Sequence, residues 1–508
     1  MRLFKILFVF ILLGFIFRGC GGGGSSDDSG FVPTGKIIAI AERSGSNIDI
    51  KVGGTAGAAP PGSKVEVTNL NTTETLSTTA ESDGSFDPTF KGSTSDRFSV
   101  AVDGMIVTGI PIGVTLISEA VKRNLAQLGS IPSAIEIQEN RAYVVNGGFN
   151  NVQIFDLNQQ PPKQIGTIVL PPGSDPVAIA FIDNTRAYVA NLTGQSVAIV
   201  NVQTMQCERL IVRSDSVPSN IGICQNQVTA VGPELFEDPM GIAVANGKVY
   251  VSNNNLAPNP SNPFNLDPLG PGFLTVINAM TNEVFGTTIE LSADNAQGIT
   301  VVGDRLYVVS AGDPEFVGGL FFANTPGAID IINPETDERE DSIPIPLNPD
   351  LPLVGFAGRL EPTPDEKFGY IGSGTSGVLF KVNLQSKKLV RGTGDPIIVT
   401  SAEQQDATFD VEIGDDGLAF IPVFNIDQVF VMDTKNDFIN PFPFIAPFPV
   451  GIRGDEPSSD FFEGPQDLVI RPGTPGVDFQ GADIFFITAI FGTEKLGSIN
   501  TALILPPE

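Results

Sequence analysis

The sequence of 508 residues contains no histidine and no tryptophan, and it has only three cysteines and five tyrosines. The absence of histidine excludes every catalytic triad, general base, and metal or haem site that depends on an imidazole. Basic residues are also scarce, with 29 Lys and Arg against 58 Asp and Glu, so the formal net charge is −29. This balance argues against a nucleic-acid partner, because phosphate recognition needs clustered Lys and Arg. It is typical of a soluble extracellular or salt-tolerant protein.

The N-terminal segment has the pattern of a secretion signal. Arg2 and Lys5 precede an apolar run over residues 6–17, which is short for a membrane span but has the length of a signal-peptide core. With Cys20 directly after it, residues 1–19 resemble a bacterial lipoprotein signal peptide. The resemblance implies that Cys20 is lipidated and that the protein is held in a membrane. An ordinary signal peptide or an uncleaved anchor are the alternatives.

The residues after Cys20 predict location and attachment. Residues 20–34 are rich in Gly, Ser and Asp, which predicts a flexible tether. Gly21, where an inner-membrane lipoprotein would carry Asp, implies sorting to the outer membrane. We therefore expect a cell-envelope protein that faces either the periplasm or the outside.

Two further cysteines, Cys207 and Cys224, are available for pairing. Export permits a disulfide between them, and two free buried thiols are the alternative. Thiol catalysis is not expected, because no histidine is present to activate a thiolate.

Residues 35–110 predict a small β-sandwich. Apolar residues alternate with polar ones in residues 48–52 and 64–67, and turn sequences such as Pro60-Pro61-Gly62 and Asp83-Gly84-Ser85 separate the strands. These strings resemble bacterial immunoglobulin-like surface domains. The resemblance implies a spacer domain, with a binding role as the alternative.

The five tyrosines occupy one position in a repeated unit, where each follows a polar turn and opens a hydrophobic strand. They are Tyr143, Tyr188, Tyr250, Tyr307 and Tyr370. In four units, an Asp or Asn that ends the third strand lies 13 residues beyond the aromatic residue. These pairs are Tyr143 and Asp156, Tyr188 and Asn201, Tyr370 and Asn383, and Phe420 and Asp433. The constant interval predicts a repeated supersecondary unit, in which we expect the tyrosines to pack between units.

Seven such units follow one another from about residue 131. Their inner strands are marked by Ile135, Ile179, Ile242, Ile299, Leu360, Val411 and Leu468. Phe420 and Phe486 take the tyrosine position in the last two units. Seven four-stranded units close radially and protect their strand edges. The predicted fold is therefore all-β, with a small N-terminal β-sandwich and a seven-bladed β-propeller over residues 111–508.

The propeller region resembles the YVTN family of seven-bladed β-propellers. Residues 188–191 read Tyr-Val-Ala-Asn after Asp175-Pro176, and residues 250–253 read Tyr-Val-Ser-Asn after Asp238-Pro239. The last three units lack the Asp-Pro pair.

Closure of the ring requires an outer strand for the seventh blade. Residues 124–129, which precede the first unit, are predicted to supply it. The alternative is a helix over residues 118–128, because the apolar residues there also suit helical spacing.

Two units break the 13-residue interval. Tyr250 and Asn278 are 28 residues apart, and Tyr307 and Asn333 are 26 apart. The connection between Cys207 and Asp238 is also long, and in a propeller these loops emerge on one face. The loop phenylalanines are Phe264, Phe273, Phe316, Phe321 and Phe322. They predict a protein- or glycan-binding face, with inward packing of the phenylalanines as the alternative.

The inner strands place charged residues toward the central channel. One position reads Ala134, Ala178, Gly241, Gly298, Arg359, Asp410 and Asp467 through the seven units, and two residues further lie Glu136, Glu361 and Glu412. Three interpretations stay open. The first is a structural Ca²⁺, which prefers oxygen ligands. The second is a carboxylate-metal hydrolase or lactonase like the gluconolactonase-type propellers, and the third is a water-filled polar channel with an ion pair between Arg359 and Asp.

These observations favour a non-enzymatic, surface-anchored lipoprotein that binds a protein or glycan through its loop-rich face. No cofactor is expected, apart from the possible Ca²⁺. The metal-dependent hydrolase is the second hypothesis, and an envelope component without a specific ligand is the third.

Overall fold

The structure is a computed structural model. It describes residues 37–44, 47–54, 57–93, 95–108, 112–116, 121–260, 265–317, 320–355, 357–403, 406–408, 410–415, 417–440, 447–450, 465–471, 484–488 and 494–499. The predicted signal peptide (1–19), Cys20, the tether (20–34) and Phe264 lie outside the described residues. Within the described part, no helix combines the length and apolar character that crossing a bilayer requires.

The described chain is all-β, as predicted, and its helical content consists of three short 3₁₀ helices. These are Ile221–Cys224, Pro233–Leu235 and Phe424–Ile426.

The N-terminal part forms a β-sandwich. Its strands are Ile37–Ser44, Asn47–Gly54, Lys64–Asn69, Thr75–Thr79, Thr89–Lys91, Arg97–Val102, Met105–Ile106 and Ile112–Leu116. Ile112–Leu116 joins the two halves of the sandwich. It pairs in parallel with Ile37–Ser44 of one half and antiparallel with Arg97–Val102 of the other. Alternate residues from both halves, such as Ile50 and Val67, are fully buried in one common core.

Seven four-stranded blades follow, and each begins at the central channel and ends at the rim. In order from inner to outer strand, blade 1 has Pro132–Gln138, Arg141–Asn146, Asn151–Asp156 and Lys163–Val169, and blade 2 has Pro176–Phe181, Arg186–Asn191, Ser196–Asn201 and Gln206–Arg213. Blade 3 has Pro239–Ala245, Lys248–Asn253, Phe273–Asn278 and Ile289–Glu290, and blade 4 has Ala296–Val302, Arg305–Ser310, Gly327–Asn333 and Glu338–Ile345.

Blades 5 to 7 are less regular. Blade 5 has Ala357–Pro362, Phe368–Ser373, Val378–Asn383 and an outer strand in two pieces, Lys388–Arg391 and Ile397–Ile398. Blade 6 has Glu412–Ile413, Leu418–Val423, Gln428–Asp433 and two outer pieces, Phe438–Ile439 and Phe448–Pro449. The strands of blade 7 that follow in sequence are Pro465–Ile470, Ile484–Thr488 and Lys495–Ile499.

Blade 7 is completed from the N-terminal side of the propeller. Val121–Gln127 pairs antiparallel with Lys495–Ile499, and the amide of Leu128 donates to the carbonyl of Glu494 at 3.0 Å. The prediction of a closing strand is confirmed, and the helix alternative is wrong. The pairing satisfies the edge of Lys495–Ile499, which a local helix would leave open.

The tyrosines pack between blades, as expected. Tyr188, Tyr250 and Tyr370 are fully buried, and each hydroxyl donates at 2.6 Å to a residue of the next blade. The acceptors are Asn282, Asp337 and Asp437, which hold one position in the turn between the third and outer strands.

Blade 7 departs from the expected register by one residue. In blades 1 to 6 the aromatic residue pairs with the second channel position, as Tyr370 does with Glu361. In blade 7 that channel position is Val469, and its partner is Phe485. Phe485 therefore holds the tyrosine position, and the expectation for Phe486 is wrong. Successive side chains of a strand point to opposite faces, so Phe486 points away from the side on which Phe485 lies.

Candidate functional site

The propeller has two distinct faces. One, here called the turn face, carries the short turns between inner and second strands and between third and outer strands. The other, here called the insert face, carries the connections from second to third strands and from one blade to the next. Three long connections belong to the insert face, and their described residues are 214–238, 254–260 with 265–272, and 311–317 with 320–326.

Backbone hydrogen bonds join these long connections to their neighbours. The amides of Asn254 and Asn255 donate to the carbonyls of Asp238 and Glu237 at 3.1 and 3.2 Å. Gly312 donates in the same way to Asp294 at 3.1 Å. Each insert is thereby tied to the segment that leads into its own blade, which gives the insert face an ordered base.

Two hairpins rise from that base. One pairs Leu256–Pro258 with Leu266–Pro268, and the other pairs Pro314–Val317 with Leu320–Ala323. Burial, together with the negative charge of Asp267 in the first hairpin, raises the pKa of Asp313 next to the second. The two hairpins are thus close enough for their charges to interact.

The predicted loop phenylalanines lie in different elements of the structure. Phe273 is half-buried, but it opens the third strand of blade 3 and does not belong to the insert itself. Phe322 is half-buried in the second hairpin, where the backbones of Phe316 and Phe321 pair with each other. The side chains of Phe316 and Phe321 lie outside the described part of the structure.

A disulfide anchors the third long connection. Cys207, in the outer strand of blade 2, is bonded to Cys224. Beyond it, Val228–Val231 adds a parallel fifth strand to the blade, and Phe236 is fully buried. This connection is therefore attached to the propeller at the disulfide, along Val228–Val231 and at Phe236.

The charged inner-strand residues meet around Arg359. Its Nη2 donates to Oε1 of Glu412 at 2.9 Å, while Nη1 lies 3.7 Å from Oε1 of Glu136 and Nε lies 3.7 Å from Oδ1 of Asp410. The structure thus brings together three carboxylates from blades 1 and 6 around one guanidinium of blade 5. The nearby Asp410 is the main cause of the raised pKa of Arg359, which keeps this group positively charged.

Burial raises the pKa values of four carboxyl groups of the cluster, those of Glu136, Glu361, Glu412 and Asp467. Burial, and then the negative charges of Asp410 and Glu136, raise the pKa of Glu361 to about 8. Burial also raises the pKa values of Glu412 and Asp467 well above their usual range, and the neighbouring Glu361 and Asp410 add to these two shifts respectively. Asp467 additionally accepts the amide hydrogen of Ile135 at 2.6 Å, which joins blade 7 to blade 1.

A cavity of about 300 Å³ opens beside this cluster. Its charged wall consists of Glu136, Arg359 and Glu361 from blades 1 and 5. The opposite wall comes from blades 2 to 4 and is mostly apolar. That wall includes Ile179, Ala180, Phe181, Ile242, Ala243, Val244, Ile299, Thr300 and Val301. These residues run from the middle of the inner strands toward the ends that meet the turn face, so the cavity lies on the turn-face side of the channel, away from the inserts.

The cluster does not have the arrangement of a metal centre. Among the described residues, no group of three or more Asp, Glu or Cys side chains is placed to hold a metal ion. Arg359 lies between the carboxylates, in the place that a cation would take.

Sequence reasoning missed the acceptors of the tyrosine hydroxyls and the apolar wall of the cavity. The acceptors share one position, the fourth residue after the third strand. In blades 2 to 6 the residue at this position has a positive φ of 53–61°. The five are Met205, Asn282, Asp337, Lys387 and Asp437. Asn and Asp tolerate this conformation well, and they recur here. The apolar wall left no local signal, because residues such as Phe181 and Val301 resemble ordinary strand residues.

Comparison with known proteins supports the fold. The chain is similar in structure to hydrazine synthase of Kuenenia stuttgartiensis, with 14% identity and a TM-score of 0.51, over 74% of this chain and 98% of that chain. It is also similar to a catalytically inactive virginiamycin B lyase from Staphylococcus aureus with quinupristin, with 12% identity and a TM-score of 0.49, over 75% of this chain and 98% of that one. At 14% identity, the likeness to hydrazine synthase shows the fold alone. No protein-family model matches the chain, so membership of the YVTN family stays a prediction. A search of curated proteins found no significant match.

Proposed function

We propose that the protein is a non-enzymatic propeller lipoprotein of the cell envelope that binds a protein or glycan partner through the insert face. The observation that carries this proposal is the pair of hairpins on blades 3 and 4, which rise from a hydrogen-bonded base. Ordered loops on a rigid scaffold are the usual place for binding residues.

The chemistry of this face favours a partner that offers hydrogen-bond donors or positive charge. Asp267, Asp294 and Glu315 all lie close enough to Asp313 for their negative charges, together with burial, to raise its pKa. Leu269 adds an apolar contact, with 61% of its surface exposed. A basic protein surface or a glycan with many hydroxyl groups would complement this combination.

In the proposed arrangement, lipidated Cys20 and the tether over residues 20–34 hold the protein at the membrane. The N-terminal β-sandwich serves as a spacer before the propeller. The insert face then projects toward the partner, and the channel takes no part in this binding.

The carboxylate-metal hydrolase is the weaker hypothesis. A catalytic metal needs converging ligands and an open coordination position. Arg359 instead pairs with Glu412 at 2.9 Å and brings positive charge to the centre of the cluster. A divalent ion would be repelled there unless Arg359 moved away.

The test is to replace residues 254–271 with a two-residue Asn-Gly turn and to compare capture of envelope proteins and glycan-array binding with the unaltered protein. We expect at least a tenfold loss of binding and a melting temperature close to that of the parent. The matched control is Glu335→Gln on the turn face, where Glu335 is exposed, and it should bind normally. If the trimmed protein still captures the same partner, the insert of blade 3 is not the binding site.

A further inference from the structure

The cavity on the turn-face side of the channel has two chemically different walls. One wall carries Glu136, Arg359 and Glu361, and the other carries the apolar ends of three inner strands. Its volume of about 300 Å³ is at the lower end of the range of small-molecule pockets, which is roughly 300–1,000 Å³. Sites of this kind, mostly apolar with a few convergent polar groups, are typical of small ligands.

The charges of the cluster indicate the sign of the ligand. Five carboxyl groups surround the single guanidinium of Arg359, and they belong to Glu136, Glu361, Asp410, Glu412 and Asp467. Arg359 makes its short contact with Glu412, at 2.9 Å. Glu136 lies 3.7 Å from it, which is beyond hydrogen-bond distance, and 37% of the Glu136 side chain is exposed.

Glu136 and Glu361 are therefore the carboxyl groups that line the cavity, while the hydrogen bond that Arg359 donates within the described cluster goes to Glu412. A donor with one positive charge would satisfy both of them. An ammonium group fits this role, because it is a compact cation with three N–H donors. A divalent metal ion fits less well, since Arg359 would repel it twice as strongly and the described residues offer no metal-binding group of carboxylates.

The apolar wall indicates what is attached to that ammonium group. Ala180, Ala243 and Thr300 occupy the channel positions that hold Glu136 and Glu361 in the other blades. Small side chains at these three positions leave open space, and Phe181 and Val301 extend the wall toward the turn face. Val301 is 42% exposed, so contact with an alkyl chain would cover apolar surface that now faces the opening.

We propose that this cavity binds a primary alkylamine or a similar amphipathic cation, with its ammonium group between Glu136 and Glu361 and its carbon chain against blades 2 to 4. The ligand enters from the turn face, so this site is separate from the proposed partner-binding face.

The proposal implies coupling between ligand binding and proton release. Glu361 interacts with Arg359 on its own strand, with Asp410 and Glu412 from blade 6 and with Glu136 from blade 1. From blade 4, the uncharged Thr300 donates to the carbonyl of the adjacent Leu360 at 2.6 Å. Because its pKa is about 8, Glu361 is mainly protonated at pH 7, and an arriving ammonium group would favour its ionised form. Binding should release a proton and tighten as the pH rises toward 8. An alkylamine remains charged until about pH 10.

The experiment is calorimetric titration of the purified full-length protein with n-hexylamine, at pH 6, 7 and 8 and in two buffers that differ in ionisation enthalpy. We expect binding that tightens with pH, by at most about tenfold per pH unit for one released proton. Glu361→Gln should weaken binding at least tenfold at pH 8 and abolish most of the pH dependence. Ala180→Leu, which fills the apolar wall without a change in charge, should also weaken binding.

The controls separate this site from non-specific attraction to an acidic protein. Glu335→Gln removes one carboxylate from the same face and should leave binding unchanged, and thermal melting verifies that each variant is folded. 1-Hexanol, which has the same chain without the charge, should bind at least tenfold more weakly. The proposal is overturned if hexylamine does not bind at millimolar concentration, if hexanol binds as tightly, or if Glu361→Gln and Glu335→Gln behave alike.

Discussion

The tyrosine hydroxyls do more than fill space between the blades. Tyr370 is fully buried, and its hydroxyl donates to Oδ1 of Asp437 at 2.6 Å and to the carbonyl of Thr434 at 3.0 Å. Lys381 lies 2.8 Å from the same Oδ1, so one carboxylate of blade 6 holds two side chains of blade 5. Burial and the bond to Asp437 both raise the pKa of Tyr370, and the hydroxyl therefore remains a donor.

We predict that Tyr370→Phe destabilises the propeller. The change leaves Asp437 with one donor fewer in a mostly buried site, which costs about 1–3 kcal/mol. Denaturant unfolding monitored by circular dichroism measures the loss. Tyr307→Phe is the matched control, because its hydroxyl reaches only the carbonyl of Leu384, at 3.4 Å. The control should lose less than half as much, and equal losses would show that the bond to Asp437 contributes little.

The positions of single residues could be predicted only where the repeat is regular. In the units with a short connection between the second and third strands, residue spacing was enough to predict the tyrosine position. In blade 7 two adjacent phenylalanines, Phe485 and Phe486, are both compatible with the pattern. Only the pairing of Phe485 with Val469 shows which of them takes the position.

At the scale of elements, ring closure depends on one strand from outside the sequential repeat. Val121–Gln127 pairs with Lys495–Ile499, and Nε2 of Gln127 donates to the carbonyl of Glu494 at 2.9 Å. Leu128, just after it, packs with Leu496 and Phe485 in the core between blades 7 and 1. The strand thus joins the two ends of the propeller by hydrogen bonds and by burial.

We predict that a chain beginning at Val121 forms a stable propeller, whereas a chain beginning at Ser130 does not. The shorter chain exposes the edge of Lys495–Ile499 and loses several ladder hydrogen bonds, each of which contributes about 1 kcal/mol. Thermal melting and size-exclusion chromatography should show a lower midpoint and aggregation for the shorter chain alone. Identical behaviour of the two chains would mean that closure does not depend on this strand.

The sequence left this element ambiguous for a physical reason. The apolar residues between positions 118 and 128 suit both a helix and a strand, and short apolar segments cannot be distinguished by periodicity alone. The segment forms a strand because its partner strand, more than 360 residues away in the chain, has an otherwise unpaired edge. That edge can form ladder hydrogen bonds with another strand but not with a helix.

At the scale of the whole molecule, the net charge of −29 opposes the compact state. Many of the described Lys and Arg side chains are engaged in ion pairs, as Arg305 is with Glu340 and Lys248 is with Asp337. Many of the remaining carboxylates are exposed at the surface, where salt can screen their mutual repulsion.

We predict that the melting temperature rises when NaCl is increased from 10 to 500 mM. Screening weakens the repulsion between excess carboxylates more than it weakens the fewer ion pairs, and a gain of about 1 kcal/mol corresponds to a few degrees in a domain of this size. Differential scanning calorimetry measures the shift, and choline chloride should reproduce it if screening is the cause. A lower melting temperature at high salt would show that the ion pairs outweigh the repulsion.

The sequence by itself determined the all-β class, the seven-bladed ring and the position of the long insertions. It could do so because strand alternation, turn residues and repeat length are local properties that each unit carries. The tertiary structure alone decided which strand closes the ring, which turn accepts each tyrosine hydroxyl and how the channel is divided into a charged and an apolar wall. These features depend on residues from different blades, such as Glu136 and Arg359, whose proximity arises only when the ring closes.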